Sequence, residues 1–301
     1  MPTGLSNELF PDAAGRVNPH RMIPRAKALE IVEDCAELGV KAIQFTGGGE
    51  PTVHPDYLEI FGRAQELGMD TALVTNGVKL LPNHPSVLAM KWVRVSIDAG
   101  DASTYAKVRQ CPSSHWDKAW ANIRALHDAD YVGTLGVGYV VAPESYMGIA
   151  EAARLAKAAG ASNMRVGAVF STEGYAYYGD LIGNIQTAIE RAKFLHDGDG
   201  FEVIDLFWRR IGDLAEGHPK DPDCGYQFLT MYIGGDQNVY RCCNTAYTTA
   251  GKVGSLKNQR LRDAMLDYLP FDARTCRHCQ FLGQNLAIKA MTEKPQHVNF
   301  V

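Results

Sequence analysis

The chain has 301 residues, 46% hydrophobic and 21% charged, the composition of an ordinary globular protein with room for one large domain and a small one. A formal net charge of −4 gives nucleic acid nothing to bind by electrostatics, and no run of about 18 apolar residues reads as a membrane span. Met1 to Arg21 is polar and lacks the apolar core of a secretory signal, so a cytoplasmic protein without nucleic-acid or membrane partners is expected.

Along the chain, Pro24 suits a first helical position, and Ala28, Ile31, Val32 and Cys35 follow at the spacing of one helical face. Gly39 closes that helix, and Lys41 to Phe45 reads as a short buried strand. The alternation then repeats. Helices are predicted over 57–67, 116–127, 149–159 and 182–196, and strands over 71–75, 93–97, 135–141, 164–169 and 202–207. Such alternation predicts a parallel sheet wrapped by helices, doubly wound or a barrel, with functional loops after the C-terminal strand ends. Near residue 211 the pattern breaks. Residues 227–233 and 237–242 read as two strands around Gly234-Gly235-Asp236, a hairpin signal, and a polar helix over 256–268 leads to Cys276-Arg277-His278-Cys279. Two regions are therefore expected, 1–210 and 211–301.

Thr46-Gly47-Gly48-Gly49-Glu50-Pro51 follows the first predicted strand. Successive glycines let a backbone approach a ligand, and Glu50 offers a carboxylate suited to an amino group; a tight strand-to-helix turn is the plainer alternative. No Gly-Lys-Ser/Thr follows, so this is not a phosphate loop. Thr75-Asn76-Gly77, Ser96-Ile97-Asp98 and Val140 to Glu144 end the next three strands, and Ser96 and Asp98 also fit as caps on the following helix.

This ordered set resembles the core of the radical S-adenosylmethionine superfamily, over roughly residues 22 to 200. The resemblance implies an α/β fold, a partial (β/α) barrel. It implies that Gly47 lies in the S-adenosyl-L-methionine loop and that Gly48, Gly49 and Glu50 hold the methionyl amino group. Ser96 and Asp98 would lie near the ribose and carboxylate, and backbone around Val141 and from Met164 through Arg165 to Val166 would flank the adenine. The activity implied is reductive cleavage to a 5′-deoxyadenosyl radical and hydrogen abstraction from an unidentified small-molecule or peptide substrate. An electron donor such as flavodoxin or ferredoxin is implied with it.

The sequence departs from the family in one respect. The radical-generating [4Fe-4S] cluster is held by C-x3-C-x2-C after a first strand, and this sequence contains no such triplet. Cys35, the only cysteine before the glycine loop, sits on an apolar helix face and reads as core. Residues 1–21 also hold no apolar run for a first strand, and Met1-Pro2-Thr3-Gly4 resembles the loop that follows the cluster motif. The expectation is an N-terminal truncation, a second, core cluster in the full-length protein, and no radical chemistry from this chain alone.

Five of the seven cysteines fall at or beyond residue 224. Seventeen residues separate Cys224 from Cys242 and two separate Cys276 from Cys279, so a hairpin and a C-x2-C turn can bring four thiolates together. A structural zinc with the same ligands is the alternative. Together with the barrel upstream, the pattern resembles the twitch/SPASM-like extensions of radical enzymes, which implies an auxiliary [4Fe-4S] cluster on Cys224, Cys242, Cys276 and Cys279 in a small hairpin-plus-helix extension. Cys243 is a spare, since neighbouring strand residues point to opposite faces, and Cys111 reads as a free thiol. Tyr175 to Tyr178 is a substrate wall or packing, and Trp208-Arg209-Arg210 suits an anionic group or covers the barrel end. Two other classes stay open: a non-catalytic iron–sulfur or zinc protein, if the N-terminus is natural, and a sugar-phosphate barrel with a zinc tail.

Overall fold

A computed structural model of the protein describes residues 22–170, 173–217, 219–265, 271–276 and 278–292. The Met1-Pro2-Thr3-Gly4 segment and the far end of the helix expected over 256–268 lie outside the described residues.

The first part alternates as its periodicity requires. It runs α1 (Arg25–Glu37), β1 (Ala42–Phe45), α2 (Tyr57–Glu66), β2 (Asp70–Thr75), α3 (Pro85–Leu88), β3 (Trp92–Ser96), α4 (Ala102–Arg109), α5 (Ser114–Asp128), β4 (Thr134–Val141), α6 (Ile149–Ala158), β5 (Asn163–Ala168), α7 (Ile182–His196) and β6 (Glu202–Asp205). The six strands are parallel and lie in the order β1-β2-β3-β4-β5-β6. Strand order advances in one direction only, without the reversal that marks a doubly wound sheet.

The two faces of this sheet differ. Leu73, Val93, Val95, Val137, Tyr139 and Val203 are fully buried against the helices. The opposite face carries two rows set by the register, Val74–Arg94–Gly136–Asn163 and Ser96–Gly138–Arg165–Ile204. Neither of these two rows of side chains mixes with the other face, because a strand alternates strictly with a period of two.

Three helical pieces escape the apolar periodicity. Asp101 caps α4 by accepting from Ser103 N and Thr104 N at 2.9 Å each. Pro85 opens the single turn of α3. Asp205 accepts from Phe207 N at 2.8 Å, ending β6 early and starting α8 (Phe207–Glu216) where the strand was expected to continue.

Beyond α8 the expected hairpin is shorter than its apolar run. Residues 225–228 turn as a 3-10 helix, leaving β7 (Tyr232–Ile233) and β8 (Asn238–Tyr240), and Cys242 and Cys243 fall in the turn after β8 rather than on a strand. A third antiparallel strand, β9 (Lys252–Ser255), completes the order β7-β8-β9. Then come α9 (Leu261–Met265) and α10 (Leu282–Thr292).

This second part shares a core with the first. Val239, Leu256, Leu261 and Ala264 bury together with Ala28, Ile31, Val32 and Cys35 of α1 and with Ile60 and Ala64 of α2. Buried Asp34 fastens the seam, accepting from Leu261 N at 2.7 Å and from Arg260 Nε at 2.6 Å. Among the described residues no helix is long and apolar enough to cross a membrane.

Candidate functional site

The loops after β1 to β4 meet at the C-terminal edge of the sheet. Glu50 organises the first of them. Its carboxylate accepts from Thr52 N (3.0 Å) and Thr52 Oγ1 (2.7 Å) in its own turn, and from Thr75 Oγ1 and Asn76 N (2.6 Å each) at the end of β2. The side chain expected to hold an amino group therefore also ties the glycine loop to its neighbouring strand. Gly48 faces the second part of the chain: a Cβ there would lie 3.0 Å from Tyr247 Oη, while one on Gly49 would meet nothing within 4 Å.

Ser96 ends β3 half-buried, and Asp98 lies two residues on at φ +61°. The Asp98 carboxylate is buried and turned into the protein. It accepts from Val140 N at 2.7 Å and forms an ion pair with Arg109 of α4. Val141 presents its carbonyl to Tyr178 Oη at 2.9 Å, and the same hydroxyl accepts from Val169 N at 2.6 Å, joining the ends of β4 and β5. Tyr178 is thus a packing residue, whereas Tyr175 is exposed. Met164 and Arg165 do not join this cluster. They pair with Val137 and Gly138, about 13 Å and 10 Å before Val141 along the strand, with Met164 fully buried on the helix side and Arg165 exposed on the other.

In the second part, Cys224, Cys242, Cys276 and Cys279 line one cavity walled by Tyr226, Phe271 and Phe281. Cys243 is not among its lining residues, and it accepts from Gln280 Nε2 at 3.2 Å. Burial and the neighbouring thiols push Cys276 up to about 12, and burial likewise raises Cys224 and Cys279, each also facing Cys242. The thiols of Cys224, Cys276 and Cys279 are thus held protonated by burial and by the sulfurs beside them, a burden that a bound cation relieves. Among the described residues no group of three or more His, Cys, Asp or Glu side chains stands ready at metal-binding distance. The donor set, four soft thiols in an apolar pocket, is chemically that of iron–sulfur or zinc. Cys35 lies in the core, where burial raises its thiol to about 11.

The aromatic group Tyr232, Tyr240 and Tyr247 was not legible as part of a site. Tyr247, at φ +64°, lies with ring centroids 6.0 Å from Tyr232 and 5.5 Å from Tyr240, and its hydroxyl accepts from Gly235 N at 3.2 Å. Nothing in the local pattern ties these tyrosines to a glycine loop nearly 200 residues earlier.

With this geometry in view, the chain can be compared with known proteins. Residues 10–156 match the family model described as Radical SAM superfamily. That segment is similar to radical SAM proteins, and the relatives it matches are named as enzymes. It is 36% identical over 129 residues to an S-adenosylmethionine-dependent nucleotide dehydratase of Flammeovirga pacifica, covering 40% of this chain and 43% of that protein. It is 33% identical over 134 residues to a GTP 3′,8-cyclase of Microcystis aeruginosa, covering 42% of this chain and 40% of that one. The matched segment thus spans about two-fifths of these relatives' length. In fold the chain is similar to Streptococcus suis SuiB bound to S-adenosylmethionine, with TM-score 0.61 and 15% identity over 83% of this chain and 60% of that one. It is also similar to anSMEcpe with bound AdoMet, with TM-score 0.55 and 14% identity over 84% and 74% of the two chains. At these identities the likeness is one of fold.

Proposed function

We propose that this chain is the S-adenosylmethionine-binding body of a radical enzyme, a partial barrel whose residues from 211 onward carry an auxiliary [4Fe-4S] cluster on Cys224, Cys242, Cys276 and Cys279. The observation that carries the reading is the glycine loop at the C-terminal edge of a singly wound parallel sheet, inside the segment that matches the radical SAM family model. S-adenosylmethionine, when bound with the clusters, supplies a 5′-deoxyadenosyl radical, and the auxiliary cluster supplies a site for the electron left on the substrate.

The chain's own residues position the reactants. Gly47, Gly48 and Gly49 present bare backbone to the methionyl group, and Glu50, held by Thr75 and Asn76, offers its carboxylate at a fixed angle to the amino group. Ser96 faces the ribose, and Asp98 acts through Val140 and Arg109 by holding the β3 and β4 loops together. The C-x3-C-x2-C triplet that holds the radical-generating cluster in this family does not occur in this sequence, so these residues alone would not generate the radical. Among the described residues β1 pairs only with β2 and leaves Ala42 and Gln44 exposed, an open strand edge. The relatives named for nucleotides favour a small-molecule substrate over a peptide.

Anaerobic reconstitution tests the reading. Iron and sulfide should each approach about four per chain, falling sharply in Cys224→Ala and Cys276→Ala but not in Cys243→Ala. Zinc without sulfide would sink the auxiliary-cluster assignment. Lacking that triplet, these 301 residues should form no appreciable 5′-deoxyadenosine with dithionite, and finding it would overturn the expected cluster ligands.

A further inference from the structure

The face of the sheet turned away from the helices carries a concentration of positive charge that the site described above does not use. Arg94 lies on β3 and Arg165 on β5, and both belong to that face through the register rows Val74–Arg94–Gly136 and Ser96–Gly138–Arg165. Arg210 reaches the same face from α8. The strands are stripped to glycine beneath two of the three. A Cβ on Gly138 would lie 3.4 Å from Arg94 Cδ, and one on Gly167 would lie 2.6 Å from Arg210 Nη1. Gly138 is the register neighbour of Arg165, and Gly167 follows Arg165 two residues along β5. The Arg94 stem and the Arg210 guanidinium therefore lie on sheet positions immediately flanking Arg165.

Each of the two inward arginines is held in place. Arg94 stacks over Trp92 at 5.4 Å and Arg210 over Phe170 at 5.7 Å. Arg210 Nη1 also donates to Ala168 O at 3.2 Å. Neither they nor Arg165 form an ion pair among the described residues, although fifteen such pairs occur elsewhere in the molecule. Burial and the charges of Arg165 and Arg210 push Arg94 down to about 10, and burial and Arg165 lower Arg210 as well. Arg94 and Arg210, largely withdrawn from water beside the exposed Arg165 and with no carboxylate at ion-pair distance among the described residues, repel one another at a cost to the fold that holds them. An arrangement of this kind persists where an anion completes it.

We propose that Arg94, Arg165 and Arg210 form the binding site for a phosphate-bearing substrate on the open face of the six-stranded sheet. Resting on the reading of this chain as the barrel of a radical enzyme, the inference adds the substrate's chemical class. Three guanidinium forks offer more donors than one carboxylate can use, and their charge calls for a group carrying two or more negative charges. A phosphoryl or polyphosphoryl group meets both demands.

The experiment is calorimetric titration of the 301-residue chain with tripolyphosphate, alongside thermal melts with and without that probe. Arg94→Met, Arg165→Met and Arg210→Met should each weaken binding about tenfold or more, as expected for losing a charge-assisted contact. Arg262→Met, on the exposed side of α9, should leave it unchanged. Without the probe, Arg94→Met and Arg210→Met should melt no lower than the parent, since each removes a repulsion; Arg94→Lys and Arg210→Lys serve if a Met variant is insoluble, and should bind more weakly than Arg. Equal binding by all variants and the Arg262→Met control overturns the proposal. So does earlier melting at unchanged affinity, which would make the arginines structural. Displacement of tripolyphosphate by S-adenosylhomocysteine, with the same variants losing affinity for S-adenosylhomocysteine, would reassign them to the methionyl carboxylate and also overturn it. None of these readouts needs a cluster or turnover, so failure to reconstitute iron and sulfide would count against the radical reading alone.

Discussion

Asp98, just past the end of β3, turns its charge into the protein. It occupies the left-handed region that Asn and Asp tolerate best among non-glycine residues, and both its oxygens are engaged, by Val140 N and by Arg109. Both side chains are buried, 3% and 9% exposed, so removing one leaves the other's charge uncompensated. Asp98→Asn keeps the backbone conformation and an acceptor for Val140 N, yet should destabilise the protein by about 3 kcal/mol by stranding Arg109. Asp98→Asn combined with Arg109→Met should recover part of that loss, and a double-mutant cycle by denaturant unfolding measures the coupling. Additive losses would mean that the pair contributes nothing as a pair. The sequence marked Asp98 as a strand-end residue of interest. It could not reveal that the carboxylate turns inward, because Arg109 and Val140 come to it from α4 and β4.

Among the elements, α1 and α9 are joined by one side chain. Burial pushes the Asp34 carboxyl up, but hydrogen bonds from Arg260 and from Leu261 N, together with the Arg260 charge, outweigh it and hold the group below its ordinary value. A carboxylate lowered on folding stabilises at pH values above its unfolded pKa of about 3.9, and that contribution is lost as pH falls through the lower folded value. The seam between α1 and α9 should therefore loosen in acid. Asp34→Asn should cost about 1 to 2 kcal/mol at neutral pH, a figure reduced because Arg260 is half-exposed, and should flatten the acid limb of the stability profile. Thermal melts of both proteins between neutral pH and pH about 3 check this; parallel curves would show that Asp34 is not the acid-sensitive link. Helix α1 was legible from its apolar spacing. Its partner was not, since 226 residues separate Asp34 from Arg260.

For the whole molecule, the change of pattern near residue 211 does not coincide with a division of the core. Val239, Leu256 and Leu261, with Ala264, cover Ile31, Val32 and Cys35 on α1. A chain cut after Gly217 should expose that apolar surface. It should bind a hydrophobic dye, self-associate, and melt well below the parent, because burial at about 25 cal/mol per Å² is withdrawn from α1 and α2 together. A cut chain that melts cooperatively at the parent's temperature would show that the two parts fold independently.

The sequence by itself determined the order of the six strands and of the longer helices through residue 205, though not α3 or α4, together with the loops that end the first four strands and the four cysteines that line one cavity. Those features are local: an apolar period, a capping or turn residue, and a spacing short enough for a turn to close. Only the tertiary structure decided which face of the sheet each arginine occupies, that Asp98 and Asp34 spend their charge inside the protein, and that Tyr247 rests on Gly48. Each of these depends on chain segments far apart in sequence meeting in one register, and a shift of one residue in a strand would send every such side chain to the opposite face.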